Sequence, residues 1–352
     1  MVNPNFGREK HVEVARLLSP LRGFAADEHE IECRRDAFTG VECRINVARS
    51  KRVKQAEDTE EELVELVKRT RDECFFCPER LETATPKFTG FYEGRIVVGR
   101  SCAFPNLFPF GKYHAVVTFS EDHFLDLHEF AAELIADNLR ASIAFIDAVH
   151  KYDESAKYPI WNWNHLPPAA ASIVHPHVQV LVEERPTPFL RRLLENSRKY
   201  FEETGRNYWR TLVEEERAAG ERFIGEVGGG DDAVVALASF APLGNNEVML
   251  IFRGASSLAD LNERQIGNFA ECLVRVLRCY KESGVNSFNV TTFSGSINGG
   301  EDAYYSLHAR IISRPRFRAF YTSDTGFMER FHYEWVIETM PEDVARRMRK
   351  FF

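Results

Sequence analysis

The segment HAVVTFSE at 114–121 returns as EVMLIFRG at 247–254, and the segments downstream of the first copy recur downstream of the second. A long amphipathic stretch from about 126 to 150 answers SLADLNERQIGNFAECLVRVLRCYKESG at 257–284. PIWNWN (159–164) answers NSFNVTTF (286–293), and VHPHVQVLVEERP (174–186) answers SLHARIISRP (306–315). The spacing is kept too: 175 − 117 and 308 − 250 are both 58, from Val117 to His175 and from Leu250 to His308. In the first copy Phe130, Leu134, Leu139, Ile143 and Ile146 follow a helical period, with Asp126 placed to cap the helix, and the flanking runs have strand length. Strand, helix, strand, loop, strand repeated at equal spacing predicts an α+β protein of two tandem units, mostly antiparallel sheet with flanking helices. The division reads as an N-terminal extension over 1–30, a first unit over 31–219 and a second over 220–352. The turn GGGDD at 228–232 lies near the boundary.

Around this repeat, residues 1–30 read as a polar, partly helical lead-in. Residues 31–53 read as a β-hairpin turning at Thr39-Gly40 and ending in the basic cluster Arg49, Lys51, Arg52. Helices are predicted over 56–72, acids first and bases last, and over about 188–219. With 352 residues, 44% hydrophobic and 28% charged, the chain is neither a disordered protein nor a coiled coil. A net charge of −8 argues against a nucleic-acid coat. Glu133, Asp137, Arg140 and Asp147 interrupt the most apolar stretch, so no membrane span is expected. The first residues lack the apolar middle of a signal peptide, and seven cysteines is an odd count, so a reducing cytoplasm is expected. Cys33, Cys43, Cys102, Cys272 and Cys279 then read as small core residues.

The chemistry concentrates in HPHVQ at 175–179. In a strand, His175, His177 and Gln179 share one face, while Val178, Val180 and Val182 pack away from it. Pro176 cannot donate to a ladder, so this segment should open a strand or lie on an edge. Cys74-Phe75-Phe76-Cys77 is a C-x-x-C pair, which by itself fits redox chemistry, zinc or an inert core. A charged helix rather than a strand precedes it, against the redox reading, and no second C-x-x-C exists to complete a four-cysteine ribbon. A zinc site would need two imidazoles, and His123 and His175 are placed to serve. Other histidines, among them His114 and His165, show no partner pattern and read mostly as surface or loop residues.

Taken in order, C-x-x-C, a histidine in FSEDH and then H-P-H-x-Q resemble the galactose-1-phosphate uridylyltransferase family of the histidine-triad superfamily. The resemblance runs from about Arg34 to the C-terminus. It includes the turn R-x-x-x-x-T-G at 34–40, RSKR at 49–52, Asn106 in FPNLFPF, and Asn164 and Ser172 ahead of the first histidine. It implies two tandem HIT-like units and one structural Zn2+ held by Cys74, Cys77, His123 and His175. It makes His177 the nucleophile, with Gln179 donating to a phosphate oxygen. Arg49, Arg52, Asn106, Asn164 and Ser172 become substrate contacts. The implied partners are a nucleotide sugar and a sugar 1-phosphate or phosphate, in a homodimer. The implied reaction is ping-pong nucleotidyl transfer of the UDP-glucose:hexose-1-phosphate type through a nucleotidyl-histidine. Alternatives on the same scaffold are an ADP-glucose phosphorylase, which the C-terminal tail also resembles, a nucleotide-conjugate hydrolase and a non-catalytic nucleotide-binding protein. A neutral imidazole suits the nucleophile's role because its ordinary pKa lies near 7. Two departures stand out. The loop NHLPPAAAS (164–172) has Leu166 and Ala170 where the family has glycines, which should stiffen it. Phe293 and Arg310 occupy positions that would serve a second, iron-type site in some members, so that site is not expected here.

Overall fold

A computed structural model describes residues 7–52, 61–318 and 321–352. The chain begins with strands β1 (Arg8–Ser19), β2 (Ala25–Asp36) and β3 (Val41–Ile45), then helices α1 (Glu61–Arg71) and α2 (Pro78–Ala84). The first unit continues through β4 (Ile96–Val98), β5 (Ser101–Pro105), β6 (His114–Thr118), α3 (Ala132–Tyr152), β7 (Tyr158–His165) and β8 (His177–Glu183). Helices α4 (Pro188–Thr204) and α5 (Tyr208–Ala219) lead to β9 (Phe223–Val227), β10 (Val234–Ala238) and β11 (Val248–Phe252). The second unit closes with α6 (Glu263–Glu282), β12 (Phe288–Phe293) and β13 (His308–Ser313), and the chain ends through β14 (Glu334–Ile337) and α7 (Pro341–Met348).

Ten strands form one antiparallel sheet in the order β4-β5-β6-β8-β7-β12-β13-β11-β10-β9. Read from either end the order is equivalent, with β4-β5-β6-β8-β7 answering β9-β10-β11-β13-β12. The sequence repeat is thus a structural repeat, joined where β7 pairs with β12. Alternation decides which face is buried. Trp161 and Trp163 on β7 and Val178, Val180 and Val182 on β8 join the apolar sides of α3 and α6 in one core. The intervening residues face the other way. In the second unit that opposite face is covered by α4 and α5, whose Leu190, Leu193 and Trp209 pack on Val235, Leu237 and Ile251. In the first unit it stays open and lines a groove. Among the described residues, no helix is long and apolar enough to cross a membrane.

Several expectations change. The lead-in is not helical: β1 and β2 form a long hairpin, joined by β3 and β14 in a second sheet. β1 is exposed on both faces for most of its length and β2 is at most half-buried before Cys33, its half-buried positions being mostly polar, so no period-two apolar signal marks them. The helix expected over 56–72 is described from residue 61; its beginning lies outside the described residues. Asp126 does not cap α3, which opens at Ala131; Asp126 instead accepts from the Leu127 N–H and pairs with Lys281. The helix over 188–219 is two, because Gly205 turns left-handed (φ +68°) and Asn207 caps a new start.

Candidate functional site

The Cys74–Cys77 pair sits between α1 and α2, His123 between β6 and α3, and His175 just before β8. The fold brings their ligand atoms within 4.8 Å of one another, all four residues buried. Cys77 Sγ lies 3.4 Å from His123 Nδ1 and 3.6 Å from His175 Nδ1, and Cys74 Sγ lies 3.8 Å from His175 Nδ1. Zn–S bonds of about 2.3 Å and Zn–N bonds of about 2.0–2.1 Å at the tetrahedral angle put sulfur and nitrogen about 3.5 Å apart, so the spacing fits one such ion.

The outer contacts agree. His175 Nε2–H donates to the Ser120 carbonyl at 2.8 Å, leaving Nδ1 bare toward the sulfurs. Thr70 Oγ1 donates its own proton to Leu66 and so accepts from His123 Nε2–H at 3.0 Å, which bares that Nδ1 as well. Metal-binding histidines typically carry such a second contact. Burial and the neighbouring Cys74 push the Cys77 thiol up to about 12, and burial pulls His175 down to about 4. Burial without a cation therefore disfavours the thiolate that a metal would require.

His177 is the first residue of β8, and its Nδ1–H donates to the His175 carbonyl at 2.8 Å. A carbonyl only accepts, so in the neutral ring the lone pair belongs to Nε2. Burial lowers the pKa of this ring and keeps it neutral. Phe76, inside the C-x-x-C, sets its ring 5.2 Å from His177 and 6.0 Å from His175. Phe76 thus supplies one wall beside His177, and His175 of the four-residue cluster stands two places before it in the chain. β8 is an inner strand, paired with both β6 and β7. The edge alternative fails; Pro176 stands just ahead of the strand, where its missing N–H costs the ladder nothing.

Gln179 lines a groove of about 770 Å3 on the open face, with Asn162, Asn164, Ala170 and Thr291. Its Oε1 accepts from His114 Nε2–H at 2.8 Å and from Asn106 at 3.5 Å. His114 Nδ1 accepts the Phe110 N–H at 3.4 Å, which places the ring proton on Nε2. The Gln179 oxygen is thereby taken and its NH2 left to donate. His114 is a site residue that the sequence reading missed: it is buried in β6, two places before Val116, which pairs with Gln179. The i, i+2 alternation along HAVVT held that signal. His165 is likewise buried rather than superficial, stacked on Phe288.

Asn164 lies one rung beyond the Trp163–Val178 pair, beside His177. Ser172 is exposed in the loop before His175. Arg49 and Arg52 are not in this groove; they line a separate cleft of about 870 Å3 with Arg314, Arg316 and Glu338, where Arg52 pairs with Glu338 at 2.6 Å. At the two glycine departures the backbone keeps positive φ, +67° at Leu166 and +66° at Ala170.

No protein-family model matches the chain. An "Uncharacterized protein" of Archaeoglobus fulgidus is 30% identical over 347 residues, 97% of this chain and 98% of that one. The structure of an ADP-glucose phosphorylase from Arabidopsis thaliana with bound ADP-glucose is similar at a TM-score of 0.70 and 21% identity, over 91% of this chain and 99% of that one. A uridylyltransferase is similar at 0.65 and 20% identity, over 91% and 98%.

Proposed function

The chain belongs to one family with the Archaeoglobus fulgidus protein and has the fold of the uridylyltransferase and ADP-glucose phosphorylase structures, and from its own site we propose that it is a nucleotidyltransferase working through His177. One observation carries this reading: a neutral imidazole whose Nδ1–H is held by the His175 carbonyl offers Nε2, beside a buried Cys2His2 cluster. His177 Nε2 attacks the α-phosphorus of a nucleotide sugar. The P–N bond forms as the bond to the bridging oxygen breaks, and the sugar 1-phosphate leaves with that oxygen. A phosphate-bearing acceptor then takes the nucleotide and returns the free ring. Gln179 Nε2 and Asn164 donate to the non-bridging oxygens as charge grows there. Cys74, Cys77, His123 and His175 would hold a Zn2+, whose contribution is structural: it fixes the segment that presents His177. Asn106 acts through Gln179, and Ser172 joins the substrate only with movement of its loop. Arg49 and Arg52 bind phosphate groups through their own cleft. The protein works as a homodimer in the cytoplasm.

Within this class the acceptor separates two readings. Hexose-1-phosphate uridylyltransfer needs a sugar 1-phosphate as acceptor, and phosphorolysis of ADP-glucose needs phosphate. The Arabidopsis neighbour, an ADP-glucose phosphorylase holding ADP-glucose, favours the second. Incubation with UDP-glucose and with ADP-glucose, and then peptide mapping, should find an acid-labile phosphoramidate-linked nucleotide on His177 for one of them. His177→Ala should abolish the adduct while keeping metal content and the melting temperature. An unlabelled wild-type protein with either nucleotide sugar would refute the mechanism.

A further inference from the structure

Resting on the reading just given, we propose that Asn289, contributed by the second unit, is a positioning residue that sets the Asn164 amide and the loop beside His177. Asn289 stands on β12 directly opposite Asn164 on β7, at the seam between the two repeats. Its Oδ1 accepts from Arg314 Nη1 at 2.8 Å, and Arg314 is itself clamped by both oxygens of Asp324 at 2.6–3.0 Å. A guanidinium can only donate, so this contact fixes which end of the Asn289 amide is oxygen. The NH2 must then face the groove side, and both its protons are used. One goes to Asn164 Oδ1 at 2.6 Å and the other to the Ala169 carbonyl at 2.9 Å.

The site gains from both contacts. The Asn164 oxygen is occupied, so its NH2 is what remains for a ligand beside His177. The alternative rotamer would aim an acceptor oxygen at a phosphate and repel it. The second proton holds the loop between its two positive-φ residues, Leu166 and Ala170. Strained backbone persists only where neighbours enforce it, and the Ala169 carbonyl lies between the two strained residues. Asp324, Arg314 and Asn289 therefore form a brace running from the cleft that holds Arg49 to the groove that holds Gln179. The brace lies wholly within the second repeat, yet what it orients belongs to the first. The continuous sheet at β7 and β12 is what lets one repeat reach the other's site.

The test is a double-mutant cycle on the full-length, metal-loaded protein. Asn289→Asp keeps size and the Arg314 contact but loses both donors. With the nucleotide sugar that labels wild type, single-turnover formation of the His177 adduct should slow by about 10–100-fold, with little change in half-saturation. Asn164→Ala should slow it comparably, and the double variant should fall well short of the product of the two single losses, because one of the two Asn289 contacts acts through that amide and only the Ala169 contact is left to lose. Labelling of Asn289→Asp at the wild-type rate, or multiplicative losses in the double variant, would overturn the proposal. If Asn289→Asp does not fold, Arg314→Leu, which frees the Asn289 amide to turn, carries the same cycle with the same outcomes. A wild-type protein that is never labelled fails the nucleotidyl-transfer reading instead, so the two failures are told apart.

Discussion

Ala170 holds φ at +66° and ψ at 22°, and Leu166 holds φ at +67° with ψ at 162°, a region that glycine alone enters freely. Each such residue costs on the order of 1–3 kcal/mol, so the surroundings must enforce it. For Leu166 they do. Pro167 bars the helical region, the side chain is buried, and its carbonyl accepts the N–H groups of Ala169 and Ala171. Ala170 is exposed, and only its N–H to Pro167 holds it locally. Ala170→Gly should therefore stabilise by about 0.5–1 kcal/mol, the relief of a left-handed alanine less the extra chain entropy of glycine. Leu166→Gly should destabilise by about 1–3 kcal/mol, since a buried leucine is worth more than the strain it carries. Thermal melts of the two variants decide; a fall for Ala170→Gly would show that its methyl does more than occupy a strained position. The loop also marks a limit of sequence reading. The replacement of glycines is plain in NHLPPAAAS, and stiffness was the natural expectation. The backbone nevertheless keeps the glycine conformation, because a hydrogen bond from Asn289 on β12, 120 positions away in the chain, adds to the loop's own bonds and holds it there.

Among elements, the cluster of Cys74, Cys77, His123 and His175 pins α1, α2, the β6–α3 junction and the start of β8 to one point. Thr70 contributes no ligand atom but orients His123 from the last turn of α1. Thr70→Val keeps the shape and removes the acceptor, so the affinity for Zn2+ should fall by roughly tenfold while stoichiometry at saturation stays at one. Competition with a chromophoric chelator measures this; unchanged affinity would mean that His123 needs no orientation. The four residues of the cluster were legible because each lies in a short motif with its own chemistry: C-x-x-C, a histidine at a strand-to-helix junction, and H-P-H. His114 and Asn289 were not, because their importance is lateral. Which side chains become neighbours across strands depends on register, and register depends on which faces are buried. The edge placement of β8 failed for the same reason: Pro176 marks a strand's beginning as readily as an edge, and only the pairing with β6 tells them apart.

For the molecule as a whole, the two ends of the chain meet in a half-buried ion network. Glu342 on α7 takes both guanidinium nitrogens of Arg34 on β2 at 2.8 and 3.0 Å and one from Arg222 at 2.8 Å; Arg222 continues to Glu216, which also meets Arg8. Burial would raise the Glu342 carboxyl, but Arg34 and Arg222 outweigh it and hold it down at about 2. A depressed carboxylate stabilises fully above its unfolded value of about 4.3, and this stabilisation is lost as pH falls toward the folded value. Glu342→Gln should cost about 2–3 kcal/mol near neutrality, somewhat less than a fully buried pair. The gap in melting temperature from wild type should close between pH 5 and 2; a gap constant across that range would rule out a charge clamp. The repeat that decided the fold was legible from the order of its segments, while the register of its strands and the unequal fate of its two copies were not. By strand register His308 answers His177 rather than His175, although the equal spacing of 58 sets it against His175: His308 pairs with Ile251 as His177 pairs with Thr118. It too opens its strand and donates Nδ1–H to the carbonyl two residues back, at 3.2 Å. Its Nε2 is buried without a partner, however, and the ring lies between Trp209 at 4.1 Å and Phe293 at 5.1 Å. Trp209 comes from α5, an element with no counterpart over the first unit among the described residues. Beside it Arg310 spends its charge on buried Glu247 at 2.8 Å. The second half therefore has the imidazole but no room for a phosphate. Saturating labelling should give one nucleotide per chain, all of it on His177, and peptide mapping that found any on His308 would show that α5 lifts away from the sheet in solution.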